Sequence, residues 1–351
     1  MTTGLTTTTA RTSTDIAVIG WAQAAISRRT DQTETQMLMT SITDALTPLG
    51  LTRSDVDFTC LGSCDYITGQ AFSFVANLDA IGAWPPKRDS HVEMDGAWAL
   101  YEAWLRLHEG DIEIAVVTGS GRTSTGDPSL IYPMEMDPYV LAPLGADLVT
   151  FAALQARAVI SAGLADEKAM AEVAVRSRGK GSVEELLAGE YVREPLRRHD
   201  LPPITDGAVA MVLATGERAR QLVERPAYIT GFDHRTECHN PAFRRLDDSP
   251  STRIAAREAG LGTGAPIEVA ELQASFTHEE LLLRHVLELG DEVAVNPSGG
   301  ALRANPIMAT GLARIGYAAD HVFAGGTRAL AHATSGPCLQ QNLICVLEGR
   351  S

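Results

Sequence analysis

Residues Val295–Gly311, VNPSGGALRANPIMATG, carry the pattern from which the rest of the chain can be read. A short apolar strand, Glu292–Val295, runs into the turn Asn296-Pro297-Ser298-Gly299-Gly300, and a helix is predicted over about Asn305–Ala319. Paired glycines after a strand allow positive φ and let backbone N–H groups approach a ligand closely. Moving outward toward the C-terminus, the pattern predicts a strand at His321–Gly325 and a closing strand at Asn342–Leu347. Toward the N-terminus it predicts a strand at Pro266–Leu272 and an amphipathic helix at His278–Leu289, with Leu281, Leu282 and Leu289 facing the core. A strand at Pro226–Phe232 and a helix at Ser251–Gly260 precede them.

The first part of the chain shows the same order. Strand Asp15–Gly20 precedes a helix over about Thr33–Leu49, whose Met37, Leu38, Ile42, Leu46 and Leu49 keep helical spacing up to Gly50. Strands follow at Val56–Gly62 and Ser90–Met94, the second leading through Asp95-Gly96 into helix Ala97–His108. Ile112–Thr118 reads as a buried parallel strand, and Gly207–Ala214 as the last strand of this half. Between them, about 119–203 is rich in Gly, Pro, Ser, Tyr, Met and charge, with helices at Ala146–Gly163 and Glu167–Arg178; it reads as an insertion. Ile112–Thr118 is expected to correspond to His321–Gly325, and Gly207–Ala214 to Asn342–Leu347. The expectation is a duplicated α/β fold, residues 15–225 and 226–351.

Bulk properties narrow the function. The 351 residues, 45% hydrophobic, exceed what one core usually holds. A net charge of −15 disfavours nucleic acid and anionic membrane surfaces as partners. Cys60, Cys64, Cys238, Cys338 and Cys345 include no CxxC pair, which argues against a zinc ribbon or redox motif and fits reduced thiols in a cytoplasm. Residues 1–14, MTTGLTTTTARTST, lack an apolar signal core and are expected to be a disordered lead-in. No apolar run reaches bilayer-spanning length.

Several strings resemble the thiolase superfamily, in its sterol-carrier-protein-type branch. AELQASFTHEELLL, from Ala270, resembles the E-L-H-D-C-F segment, and Val295–Gly311 the N-x-x-G-G-x-x-x-x-G-H-P-x-G-A-T-G segment. Ala331–Cys338, AHATSGPC, resembles the closing H-N-x-G-x-G-G loop. Ser90–Ala99, SHVEMDGAWA, sits at the nucleophile elbow, and Asp206-Gly207-Ala208 matches a strand-opening D-G-A. The resemblance implies a five-layer αβαβα thiolase fold with an inserted loop domain, and a dimer. It implies an acyl-CoA substrate, with CoA part of that substrate and no separate cofactor or metal. Gly299, Gly300 and Gly336 would then supply backbone donors near the thioester.

The departures from that pattern bear on the chemistry. The elbow, Glu93-Met94-Asp95-Gly96-Ala97-Trp98, has no cysteine; Gln273 and Asn305 replace histidines, and Ser275 replaces the adjacent cysteine. Gln and Asn donate hydrogen bonds but take no proton near neutral pH. They read as polar anchors or oxyanion donors, or as fillers of the histidine volume. Asp95 reads as a base, an N-cap, or both. Tyr66 reads as a cleft residue or a packing one, and His332 as structural or as a proton carrier. Cys338 reads as a small buried thiol. Arg193, Arg197 and Arg198 would meet CoA phosphates or stay solvated, with Arg176–Lys180 a second patch. His234, Cys238 and His239 read as a loop over the cleft, without a zinc spacing.

The resembling branch includes lipid-transfer-like proteins linked to steroid side-chain breakdown. Some are aldolases that cleave a β-hydroxyacyl-CoA beside a partner with an OB fold and a zinc ribbon. Two readings follow: an aldolase-type lyase of that kind, or a non-catalytic or lipid-CoA-binding subunit that pairs with another thiolase-like chain.

Overall fold

The computed structural model describes residues 15–69, 71–82 and 86–350. The expected lead-in at 1–14 lies outside them. Among the described residues, ten strands form one sheet and two more form a separate hairpin. The first half contributes β1 (Ile16–Gln23), β2 (Phe58–Gly62), β3 (Arg88–Val92) and β4 (Ile114–Arg122) to the sheet. The hairpin is β5 (Tyr191–Arg193) with β6 (Leu196–Arg197), and β7 (Asp206–Thr215) closes the half. The second half contributes β8 (Ala227–Thr236), β9 (Val269–Leu272), β10 (Ala294–Val295), β11 (Arg328–Ser335) and β12 (Gln341–Gly349).

The helices of eight or more residues are labelled α1 (Glu34–Leu46), α2 (Gly96–His108), α3 (Pro128–Glu135), α4 (Leu148–Ser161) and α5 (Glu167–Arg178). They continue with α6 (Pro250–Glu258), α7 (Thr277–Val286) and α8 (Thr310–Phe323). Of these, α3, α4 and α5 lie with the hairpin in the insertion between β4 and β7.

Strand order carries the duplication. The first half runs β3-β2-β4-β7-β1 and the second β10-β9-β11-β12-β8. In each, the first two neighbour pairs are parallel and the last two antiparallel. The halves join where Ala17 pairs with Tyr228 and Val18 with Ala227.

Five layers result. Leu100 and Leu107 of α2 and Leu312, Ile315 and Val322 of α8 share a core with residues from both halves of the sheet, such as Val117, Met211, Ala331 and Leu343. On the outer face of the first half, α1 buries Met37, Leu38 and Ile42. On the outer face of the second, α6 and α7 bury Ala255, Leu282 and Leu283. Each helix turns its 3.6-period apolar stripe to the sheet it covers.

Three expectations are corrected. The last long helix begins at Thr310, not Asn305. Pro306 biases Asn305 away from helical backbone, and Met308 sits at φ 73°, outside any right-handed helix. His321, Val322 and Phe323 belong to that helix and not to a strand. Val322 extends the buried stripe of Leu312 and Ile315; Gly325, at φ 110°, then ends it. The counterpart of β4 is therefore β11. Finally, β4 runs on to Arg122, so the insertion starts later than residue 119.

Candidate active site

The insertion closes over the elbow between β3 and α2, the β9–α7 junction and the loop after β11. Between them lies a cavity of about 410 Å³. Asp95, Gln273, Ser275, Asn305, Arg198 and Gly336 all line it.

Asp95 sits at the junction of two helices. Oδ1 accepts from Ala97 N at 2.9 Å and Leu312 N at 3.0 Å, and Oδ2 from Gly311 N at 2.9 Å. One carboxyl thus caps both α2 and α8. Burial pushes it above the usual carboxylate range, while these three N–H bonds and the Arg314 charge pull it back. The approach is tight enough to require glycine at position 311: a Cβ there would lie 2.6 Å from Asp95 Oδ1 and 2.9 Å from Gln273 Oε1.

Gln273 Oε1 accepts from Thr334 N at 3.0 Å. A backbone N–H can only donate, so the amide orientation is fixed and Nε2 is left to donate elsewhere. No hydrogen bond from Nε2 is formed among the described residues. Asn305 N donates to Thr205 Oγ1 at 2.9 Å, and its Oδ1 lies 2.9 Å from Thr310 Oγ1. The linker that carries Asn305 crosses directly over β4: a Cβ on Gly121 would lie 1.9 Å from Ile307 O. That crossing brings Ile307 and the strained Met308 onto the cavity wall.

Glu279, which the sequence reading passed over, is the titratable group that stands out. It lies in the first turn of α7, 6% exposed, on the cavity wall. Its Oε2 accepts from Ser275 N at 2.7 Å and Phe276 N at 3.1 Å. Burial pushes its carboxyl up to about 7, against those two bonds. A carboxyl poised there can exchange protons near neutral pH. From the insertion, Tyr132 and Glu135 also line the cavity, and burial raises both.

The cavity holds no activated sulfur among the described residues. Cys338 lines it, but burial pushes the thiol up to about 12, and Sγ donates to Phe151 O at 3.4 Å. Cys64, 3.4 Å from Glu135 Oε1, is likewise pushed up to about 12. Both are protonated and poor nucleophiles at neutral pH.

Several expected site residues fall elsewhere. Tyr66 is 54% exposed on a single helical turn whose Ile67 takes the buried side, and it does not line the cavity. His332 is fully buried in β11 and does not line the cavity, with Nε2 2.9 Å from Asn342 Oδ1; burial lowers it to about 4. Gly299 and Gly300 do form a positive-φ turn, but off the cavity: a Cβ on Gly299 would lie 2.6 Å from Ser177 O. Their neighbour Ser298 instead supports the buried Glu271–Arg314 ion pair, at 2.8 Å.

Among the expected phosphate ligands, Arg197 is spent internally. It pairs with Glu167, stacks 4.0 Å over Tyr191 and donates to Gly189 O. Arg193 is exposed on β5 and away from the cavity. Arg198 alone of the three reaches it, and among the described residues it makes no ion pair. In the second patch, Arg176 pairs with Glu280 and Arg178 donates to Leu201 O. His234 packs edge-on to Tyr101, and His239 Nε2 accepts from Asp137 N at 3.2 Å. Among the described residues, no three His, Cys, Asp or Glu side chains gather to hold a metal, and no helix is long and apolar enough to cross a membrane.

No family model matches the sequence. Over 339 residues, the chain is 23% identical to acetyl-CoA acetyltransferase from Methanothermobacter thermautotrophicus, covering 86% of this chain and 88% of that one. Its fold matches human mitochondrial 3-ketoacyl-CoA thiolase with a TM-score of 0.78 and 14% identity, covering 96% and 99% of the two chains. It also matches the Ltp2-ChsH2(DUF35) aldolase, with a TM-score of 0.76 and 20% identity, covering 95% and 97%. The chain has the thiolase fold, and its likeness along most of its length to an acetyl-CoA acetyltransferase supports a place in the thiolase superfamily.

Proposed function

We propose that this chain binds a β-hydroxyacyl-CoA in the cavity and cleaves it by a retro-aldol reaction. The observation that carries the reading is the cavity's inventory: hydrogen-bond donors and titratable carboxyls are present, while its thiol is held protonated. Retro-aldol cleavage needs those parts and no covalent nucleophile. A base takes the β-hydroxyl proton, the hydroxyl carbon becomes a carbonyl and the Cα–Cβ bond breaks. The electron pair passes to the thioester as an enolate, which is then protonated at Cα. Donors such as the Gln273 amide stabilise the enolate oxygen. Arg198 is the basic group placed to meet a CoA phosphate. The similarity to an aldolase assembled from two named components supports the same reading, including a DUF35-type partner. Steroid-like acyl groups, a dimeric or heteromeric assembly and a cytoplasmic location complete the proposal.

The test incubates the purified chain, alone and with a DUF35-type partner, with a β-hydroxyacyl-CoA. Release of acetyl-CoA or propionyl-CoA is expected. Tight ester binding without release under both conditions would replace this reading with that of a non-catalytic, CoA-ester-binding subunit.

A further inference from the structure

We infer that Glu279 is the general base of the cavity: its carboxyl takes the β-hydroxyl proton of a bound acyl thioester and returns that proton to the α-carbon. The inference rests on the retro-aldol reading and adds the identity of the catalytic residue. Geometry selects Glu279. Ser275 N and Phe276 N hold Oε2, which fixes the side chain, while Oε1 accepts no hydrogen bond among the described residues. Of the other carboxyls on the wall, Asp95 has both oxygens engaged, while Asp127, Asp147 and Glu135 each engage one oxygen and are less buried than Glu279. Asp95 spends both oxygens on three backbone N–H groups. Asp127 caps α3 through Ser129 N, and Asp147 caps α4 through Thr150 N. Glu135 accepts from the Cys64 thiol.

Burial is what raises this carboxyl, among the charged and titratable groups that surround it. Arg198 is the cationic group on the cavity wall, against Asp95, Asp127, Glu135 and Asp147, with the Tyr132 phenol beside them. The closing loop presents the Cys338 thiol, which feels the charge of Glu279. On α7 itself, His278 is buried and neutral, its Nε2 3.2 Å from Gln155 Oε1 of α4. Glu280 is paired with Arg176 of α5. Proton return by the same carboxyl balances the reaction without a second acid.

A purely structural role is the competing explanation, since a glutamate in the third helical position also satisfies N-terminal N–H groups. Glutamine does that equally well but takes no proton, so Glu279→Gln separates the two. In the full chain with its partner, E279Q should melt and bind CoA ester like the parent, yet lose at least ~100-fold in cleavage rate. Glu279→Asp should recover part of that loss. The parent's kcat/KM should rise with pH through about 7, as the carboxyl loses its proton, and E279Q should lack that limb. Cleavage by E279Q within about 3-fold of the parent would overturn the inference and leave the retro-aldol reading standing. If the parent itself cleaves nothing, the retro-aldol reading fails, and infrared titration of parent minus E279Q decides the rest. A protonated-carboxyl band that disappears between about pH 6 and pH 8 upholds a proton-accepting Glu279, and its absence overturns it.

Discussion

At the scale of single residues, the cavity's chemistry depends on which atoms are already committed. The Gln273 carbonyl oxygen is held by Thr334 N, so its Nε2 is the group offered to a ligand. Gln273→Ala should therefore cut the cleavage rate by about 10²-fold, the usual cost of one oxyanion donor, with little change in ester affinity. Steady-state kinetics alongside ester binding will check this; a raised KM at unchanged kcat would make Gln273 a ground-state anchor. The sequence reading named Gln273, Ser275, Asn305, Asp95 and Gly336, each in a string resembling a thiolase segment, and all five line one cavity. It missed Glu279 for a physical reason. THEELLL reads as the polar opening of an amphipathic helix, and periodicity does not reveal that the insertion buries that opening. The available signal was a run of His and two Glu in the helix's first turn, beside a buried Gln155 and an Arg176 in the insertion.

At the scale of elements, Asp95 ties α2 to α8 and so ties one half of the fold to the other. An aspartate at the elbow was legible as a base or as an N-cap. The structure assigns the cap, and extends it to a second helix 216 residues further along the chain. Sequence spacing alone could not supply that contact. Asp95→Ala removes the acceptor for three buried N–H groups, and should lower stability by about 2–4 kcal/mol. A melting temperature within about 1 °C of the parent's would contradict that role. Element boundaries were less legible than element order. His321–Gly325 reads as a strand, yet its first three residues finish α8 and Val322 extends that helix's buried stripe. Positive φ at Met308 and Gly325 fixed the ends of that region, and neither is visible in apolar periodicity.

At the scale of the whole molecule, the duplication was readable because both halves repeat the same succession of apolar strands and amphipathic helices. The join between the halves, two residue pairs between β1 and β8, was not, since nothing local distinguishes an edge strand from one that pairs across halves. Under the proposed function, the cavity takes a thioester and cleaves a carbon–carbon bond without acylating the protein. Product analysis of a single turnover of β-hydroxyacyl-CoA, with no added CoA and with the mass of the intact protein followed in parallel, tests it most directly. A free aldehyde or ketone in equal amount with the shortened acyl-CoA, and an unchanged protein mass, are expected. A protein heavier by the acyl group, or products that form only when free CoA is supplied, would contradict it.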